Sequence, residues 1–262
     1  MKADLFTIGN FTIHSYGTMI GIGIVLAIVL ASRRAGNKEL DSDIVWNMAI
    51  IGAVIGFAGA KLLYVLERLD KFIEDPLSVL GSSGFVVYGG LVIGVLAAFL
   101  YCRRKKVVFM DYFDIAAPSI ALAQGFGRIG CFLAGCCYGK ETDLPIGVVF
   151  PEGNFAPAGV SLYPTQLMSA AGDFIICIVL IVFSNKSKRS GNTGALYFML
   201  YGIGRFVIEF FRENTQGYVG ILTTAQAMSV GFAVISVILF IRNYLSDNNK
   251  DPLEKMYKRI GD

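Results

Sequence analysis

The stretch "GRIGCFLAGCCYGK" (127–140) sets an arginine, Arg128, and three thiols, Cys131, Cys136 and Cys137, inside a chain that otherwise reads as soluble in lipid. A charge held at the centre of a membrane helix costs about 2.5–3.5 kcal/mol on insertion scales, so a chain that keeps one there has a use for it. With the basic residues of loops set aside, Lys61, Arg128, Arg205 and Arg212 remain in or at the edge of apolar runs. "RFVIEFFR" (205–212) predicts one helical face carrying Arg205, Glu209 and Arg212 at i, i+4 and i+7. An internal Arg–Glu–Arg ion pair that only locks helices together is one reading of that face. The triad has one positive charge too many, however, and Arg128 and Lys61 add more. A pocket of this kind needs an anion. Guanidinium groups grip phosphate through paired hydrogen bonds, and the phosphate most available at that depth is a phospholipid head group.

The thiols of "CFLAGCC" (131–137) admit a metal site, a redox pair or a nucleophile. Adjacent cysteines rarely bond to each other, and C-x4-CC with no histidine nearby is not one of the familiar zinc spacings. No metal and no cofactor are expected. Packing is the expected role of Cys131, Cys136 and Cys137, with an outer-face disulfide and a thiol active in transfer as the alternatives. Cys102 and Cys177 fall in apolar runs as small hydrophobic residues. His14, the one histidine of the chain, lies two residues from Tyr16, off its helical face, and is expected to be structural.

The elements that must position these groups are helices in lipid. Of the 262 residues 55% are hydrophobic and only 16% charged, at a mean hydropathy of +0.60. Apolar runs long enough to cross a hydrocarbon layer of ~30 Å recur along the chain. They fall at 16–32, 44–66, 85–102, 112–130, 165–184, 194–212 and 222–241. The fold class predicted is an all-α polytopic membrane protein of about seven transmembrane helices, built as one integral membrane domain over 1–262. Basic clusters follow the first, third and fifth runs ("SRRAGNK", "RRKK", "NKSKR"), and more basic residues follow Arg242, whereas the alternate segments are poor in Lys and Arg. The positive-inside rule then puts the N-terminus outside and the C-terminus inside. Segment 139–164 becomes an irregular outer-face structure with a short strand at "IGVVF" (146–150), 243–262 becomes a cytoplasmic tail, and the four membrane cations share the outer half.

With these residues in view, the sequence resembles the bacterial phosphatidylglycerol–prolipoprotein diacylglyceryl transferases nearly end to end. The motifs that carry the resemblance are "HSYG" (14–17), "YGGL" (88–91), "GRIGCFLAGCCYG" (127–139), "YPTQL" (163–167), "YGIGRFVIEFFRE" (201–213) and "TTAQAMS" (223–229). The resemblance implies a multi-pass enzyme of the bacterial cytoplasmic (inner) membrane. Its partners would be phosphatidylglycerol, a signal-peptide-bearing prolipoprotein and membrane lipid, with no nucleic acid. It would move the diacylglyceryl group of the lipid onto the thiol of a lipobox cysteine and release glycerol phosphate. It also implies catalytic roles for Arg128, Arg205, Tyr16 and Tyr88, and substrate contacts from Arg128, Arg212, Glu209, Lys61, Gly139 and Gln166.

The chain departs from the family pattern where the acceptor would be activated. Tyr88 stands where members have the histidine of "HGG", Cys131 where they have asparagine, Cys136 where glutamate is frequent, Tyr163 where they have histidine, and Lys61 where they have arginine. Positions that would grip phosphate are better kept, so a paralogue loading another acceptor is an alternative. A non-enzymatic anionic-lipid transporter or binding protein is a further one, although no two-half internal similarity of the transporter kind is visible.

Overall fold

The computed structural model describes residues 4–8, 11–82, 84–187, 189–212 and 217–248. The chain divides into two compact units, one formed by residues up to Val29 together with those from Phe113 onward, the other by Leu30–Tyr112. A hairpin of β1 (Asp4–Ile8) and β2 (Phe11–His14) leads into α1 (Ser15–Asn37). There follow α2 (Ser42–Glu67), two short helices α3 (Leu69–Glu74) and α4 (Pro76–Gly81), then α5 (Val87–Arg104) and α6 (Phe109–Ala134). Strands β3 (Val148–Val149) and β4 (Ser161–Leu162) pair antiparallel before α7 (Thr165–Lys186) and α8 (Asn192–Glu209). A second small pair, β5 (Tyr218–Val219) and β6 (Leu222–Thr223), opens α9 (Thr224–Asn248).

Each of the seven apolar runs is occupied by a long helix. Four of these, α1, α2, α7 and the Thr224–Leu245 part of α9, are long and apolar enough to cross a membrane. The other three are α5, α6 and α8. Asp111, Asp114 and Arg128 lie on α6, and Arg205 and Glu209 on α8. The segment after α2, which the sequence offered as a plain connection, is helical. Asp75 caps α4 by accepting from the Ser78 amide at 3.1 Å, and Pro76 stands at its first position, where no amide hydrogen is needed.

In the 30–112 unit, α2 and α5 approach to backbone contact. A Cβ on Gly90 would meet the Gly56 carbonyl oxygen at 2.7 Å, so small residues on both helices set their spacing. In the other unit, α8 packs on α7 and α9. Its start is fixed by a buried carboxylate on α6. Asp114 Oδ2 accepts from the Gly191 amide and Oδ1 from the Gly194 amide, both at 2.7 Å, which satisfies amides left without helical partners and sets a negative charge at the positive end of the helix. The turns between α6 and α7 hold a small core of their own. Phe150, Ala156 and Leu162 are buried there, and Phe132 meets Phe150 edge-on at 5.8 Å. The strand expected within 146–150 is β3.

Candidate active site

Three helices of the first unit enclose a cavity of about 50 Å³. Arg128 reaches it from α6, Ser169 and Asp173 from α7, and Tyr201 and Arg205 from α8. Arg205 is already met. Its Nη1 lies 2.9 Å from Glu209 Oε2 one helical turn on, and Glu209 is buried. The guanidinium hydrogens are not aligned on that oxygen, so the contact is an ion pair rather than a hydrogen bond. The second carboxylate oxygen, Oε1, accepts from Thr223 Oγ1 at 3.2 Å, which ties the end of α8 to the start of α9. Among the described residues, no carboxylate stands within ion-pair distance of Arg128. Arg128 and Arg212 are both close enough for their charges to act on Arg205. Arg128, Arg205 and Arg212 set against the Glu209 and Asp173 carboxylates leave one positive charge in excess around the cavity.

Asp173 is the polar group in this cavity that sequence reasoning missed. It is 5% exposed, and its Oδ2 is buried with no hydrogen-bond partner. It was findable: in "TQLMSAAGDFIICIVLIVFSN" (165–185) Asp173 is the lone charged residue of an apolar run, and a carboxylate in lipid raises the same question as an arginine. A search restricted to cations passes over it. Tyr201, also on the cavity, carried no such signal.

The end of α6 and the start of α7 are bound together through backbone groups. Gln166 Nε2 donates to the Cys136 carbonyl at 2.8 Å, and Thr165 Oγ1 donates to the Cys137 carbonyl at 2.9 Å. The Gly139 amide donates to the Tyr163 carbonyl at 3.0 Å and the Lys140 amide to the Phe211 carbonyl at 2.9 Å. Gly139 cannot be larger. A Cβ there would stand 2.6 Å from both the Phe211 oxygen and the Tyr163 Cβ. Gly139 and Gln166, which the resemblance offered as substrate contacts, thus sit at a structural junction, and neither lines the cavity.

One sequence expectation is corrected here. Arg212 does not share a helical face with Arg205 and Glu209, because α8 ends at Glu209. The amides of Phe210, Phe211 and Arg212 turn to carbonyls three residues back, which tightens the chain out of the helix. The Phe211 carbonyl, freed by that ending, is taken by Lys140, and Arg212 bridges Gly139 in an antiparallel pair. Arg212 is placed by this junction and not by helical periodicity.

Tyr16 lies in the first turn of α1, half exposed, with its ring against Gly130 of α6, where a Cβ would meet Tyr16 Cδ2 at 3.2 Å. Its electrostatic neighbours are Arg128 and the three thiols. Outside the helices, the Cys137 thiol is held far below the ordinary thiol range. Hydrogen bonds from Cys131 and Cys136 are the largest cause, and the charges of Arg212 and Arg128 add to them. Lys61 belongs to the other unit. There its Nζ donates to the Ser82 carbonyl at 2.7 Å and to Ser82 Oγ and the Gly84 carbonyl at 3.3 Å each, and it faces the Tyr64 and Phe85 rings at 5.0 and 4.8 Å. It holds the turn that leads into α5. Tyr88 stands in the first turn of that helix, and its side chain lies outside the described residues.

Residues 3–242 match the family described as prolipoprotein diacylglyceryl transferase. A phosphatidylglycerol–prolipoprotein diacylglyceryl transferase of Clostridium tetani is 43% identical over 242 residues, which is 92% of this chain and 97% of the relative. A phosphatidylglycerol–prolipoprotein diacylglyceryl transferase 2 of Clostridium perfringens is 40% identical, covering 94% of this chain and 96% of its own. One from Clostridium botulinum is 33% identical over 94% of this chain and its own full length. The chain belongs to the prolipoprotein diacylglyceryl transferase family. With four membrane-length apolar helices, this family member is an integral membrane protein. Within its first unit the diacylglyceryl transferase chain brings Arg128 and Arg205 onto one cavity, and sets Tyr16 and Arg212 among the thiols that border Arg128.

Proposed function

We propose that this chain transfers the diacylglyceryl group of phosphatidylglycerol to the thiol of a lipobox cysteine in a signal-peptide-bearing prolipoprotein, releasing glycerol phosphate. The observation that carries the reading is the cavity in which Arg128 and Arg205 face Asp173. The acceptor sulfur attacks C3 of the glyceryl moiety. A carbon–sulfur bond forms as the carbon–oxygen bond to phosphate breaks, and the electron pair leaves on the bridging oxygen of the phosphate monoester. Fixed guanidinium groups in a water-poor cavity stabilise that developing charge. Arg128 binds the phosphate, because no carboxylate lies within ion-pair distance of it and Asp173, the acid whose charge acts on it, is neutralised as it takes the thiol proton. Arg205, half-neutralised by Glu209, aligns it. Asp173 Oδ2 accepts the thiol proton, supplying the base that Tyr88 cannot, since a phenol with pKa ~10 stays protonated at neutral pH.

Seven spans, an N-terminus outside and a C-terminus inside would put this chemistry in the outer half of the bacterial cytoplasmic membrane, where secreted prolipoproteins emerge. The chain then acts as one integral membrane domain with 139–164 on the outer face. The test is complementation. A host is depleted of its own transferase, this chain is expressed, and incorporation of radiolabelled glycerol into a prolipoprotein is measured. Label in the prolipoprotein supports the reading. Lipid bound by the purified chain without any label transferred would favour a transporter or binding protein.

A further inference from the structure

Cys131, Cys136 and Cys137 have no part in that chemistry, yet the fold gathers them. Cys131 lies in the last turn of α6, and the chain doubles back at Gly135, whose φ of +75° makes the turn. The three Sγ atoms all lie within 4.8 Å of one another, and all three are free thiols. Their arrangement is held from several sides. The Cys136 amide donates to the Cys131 carbonyl at 3.0 Å, closing the turn. The Cys136 and Cys137 carbonyls are clamped by Gln166 and Thr165 from the start of α7. Cys137 is left-handed, at φ +62°, a conformation that costs a side-chain-bearing residue about 1 kcal/mol or more. Space-filling does not require a cysteine in this strained, clamped position, since an alanine or serine fills a similar volume.

Sulfurs bound to one metal ion at ~2.3 Å stand roughly 4 Å apart in a trigonal array. The observed spread therefore closes onto an ion by small rotations of the side chains. We propose that Cys131, Cys136 and Cys137 form a binding site for a single thiophilic d10 cation, Zn(II) or Cu(I), with a fourth position open. The donor set is all sulfur, which selects soft ions over magnesium, calcium or manganese. Three thiolates leave a net charge of −1 with Zn(II) and −2 with Cu(I), and Arg128 and Arg212 stand close enough to offset it. The bound ion ties the last turn of α6 to the turn that follows it, which Gln166 and Thr165 of α7 already clamp.

The full chain, purified in detergent under reductant and stripped with a chelator, is titrated with Cd(II) as a spectroscopic substitute for Zn(II). It is titrated separately with Cu(I) under anaerobic conditions against a competing ligand. One equivalent per chain is expected for at least one ion, with the ultraviolet thiolate-to-cadmium charge-transfer band as the signature in the first titration. Cys131→Ser and Cys136→Ser should each weaken binding by more than ~10-fold, the loss that removing even an outer partner of a metal site can give. Cys177→Ser, in α7, should leave it unchanged. Because the parent chain is itself measured, misfolding of a variant does not shield the proposal. Failure of the parent to bind either ion overturns it. So does binding that persists when all three residues are serine. Neither readout depends on lipid transfer, so the metal site and the transferase reading can fail separately.

Discussion

At the residue scale the decisive group is Arg128, because it faces the cavity with no carboxylate within ion-pair distance among the described residues. Arg128→Ala and Arg205→Ala should abolish diacylglyceryl transfer while the protein still inserts in the membrane. Arg128→Lys keeps the charge but loses the planar fork that grips two phosphate oxygens, and should lower the rate by ~10²-fold. Arg212→Ala should be milder, since Arg212 stands at the backbone junction and not on the cavity. Transfer at the parent rate by the Arg128→Ala protein would remove the site assignment. Asp173→Asn is the sharper experiment on mechanism. An amide fills the same space but accepts no proton, so kcat should fall by about 10²–10⁴ with KM for the lipid little changed. Asp173→Glu should restore part of the rate. An unaltered kcat in Asp173→Asn would take Asp173 out of the proton transfer.

At the scale of elements, the site depends on where helices stop. The seven apolar runs were legible because hydrophobicity over membrane lengths is a strong signal, and each run holds a long helix. The ending of α8 was not legible. Nothing in "RFVIEFFRE" announces that the Phe211 carbonyl will be claimed by Lys140, a partner about 70 residues away in the chain, so periodicity carried the helix three residues too far. The short helices α3 and α4 were hidden for the opposite reason, since six-residue helices give too few turns for a pattern. Arg128 and Arg205 were legible as costly charges, and Asp173, the lone charge of the α7 run, carries the same signal with the opposite sign. The junction supplies its own test. Gly139→Ala puts a methyl group against the Phe211 oxygen and should destabilise the protein by about 1–3 kcal/mol, as forced overpacking does. Thermal unfolding in detergent reads it, and a loss of transfer with unchanged unfolding would mean that Gly139 touches substrate. Glu209→Ala should cost about 1–3 kcal/mol, because it leaves the partly buried Arg205 without its counter-ion and the Thr223 hydroxyl without its acceptor. Glu209→Gln should be intermediate, since it keeps an acceptor for Thr223.

At the scale of the whole molecule, orientation decides which leaflet supplies the lipid. The basic clusters at the C-terminal ends of α1, α5 and α7 predict an N-terminus outside and a C-terminus inside. A reporter active only in the cytoplasm should therefore be active when fused after Arg259 and silent when fused at Asn154. The reverse pair of results would place the cavity in the opposite leaflet and with it overturn the access of a secreted acceptor. The Lys and Arg residues beyond 248 that contribute to this argument lie outside the described residues, so the fusion tests the part of the reading that rests on sequence alone.

The narrowness of the cavity between α6, α7 and α8 bears on how such an enzyme can be blocked. About 50 Å³ gives room for a few water molecules and not for a glycerophosphate group. A compound shaped to the closed space would be fragment-sized and limited in affinity by its few atoms. One that imitates the whole head group would extend through the open side of the cavity, and if its entry needs the helices to part, association is slow, as it is wherever binding requires a conformational change. Screens read within seconds of mixing would discard the second kind, although once the helices closed behind it such an inhibitor would also be slow to leave. Pre-incubation is the condition under which a useful drug lead against this site would be recognised.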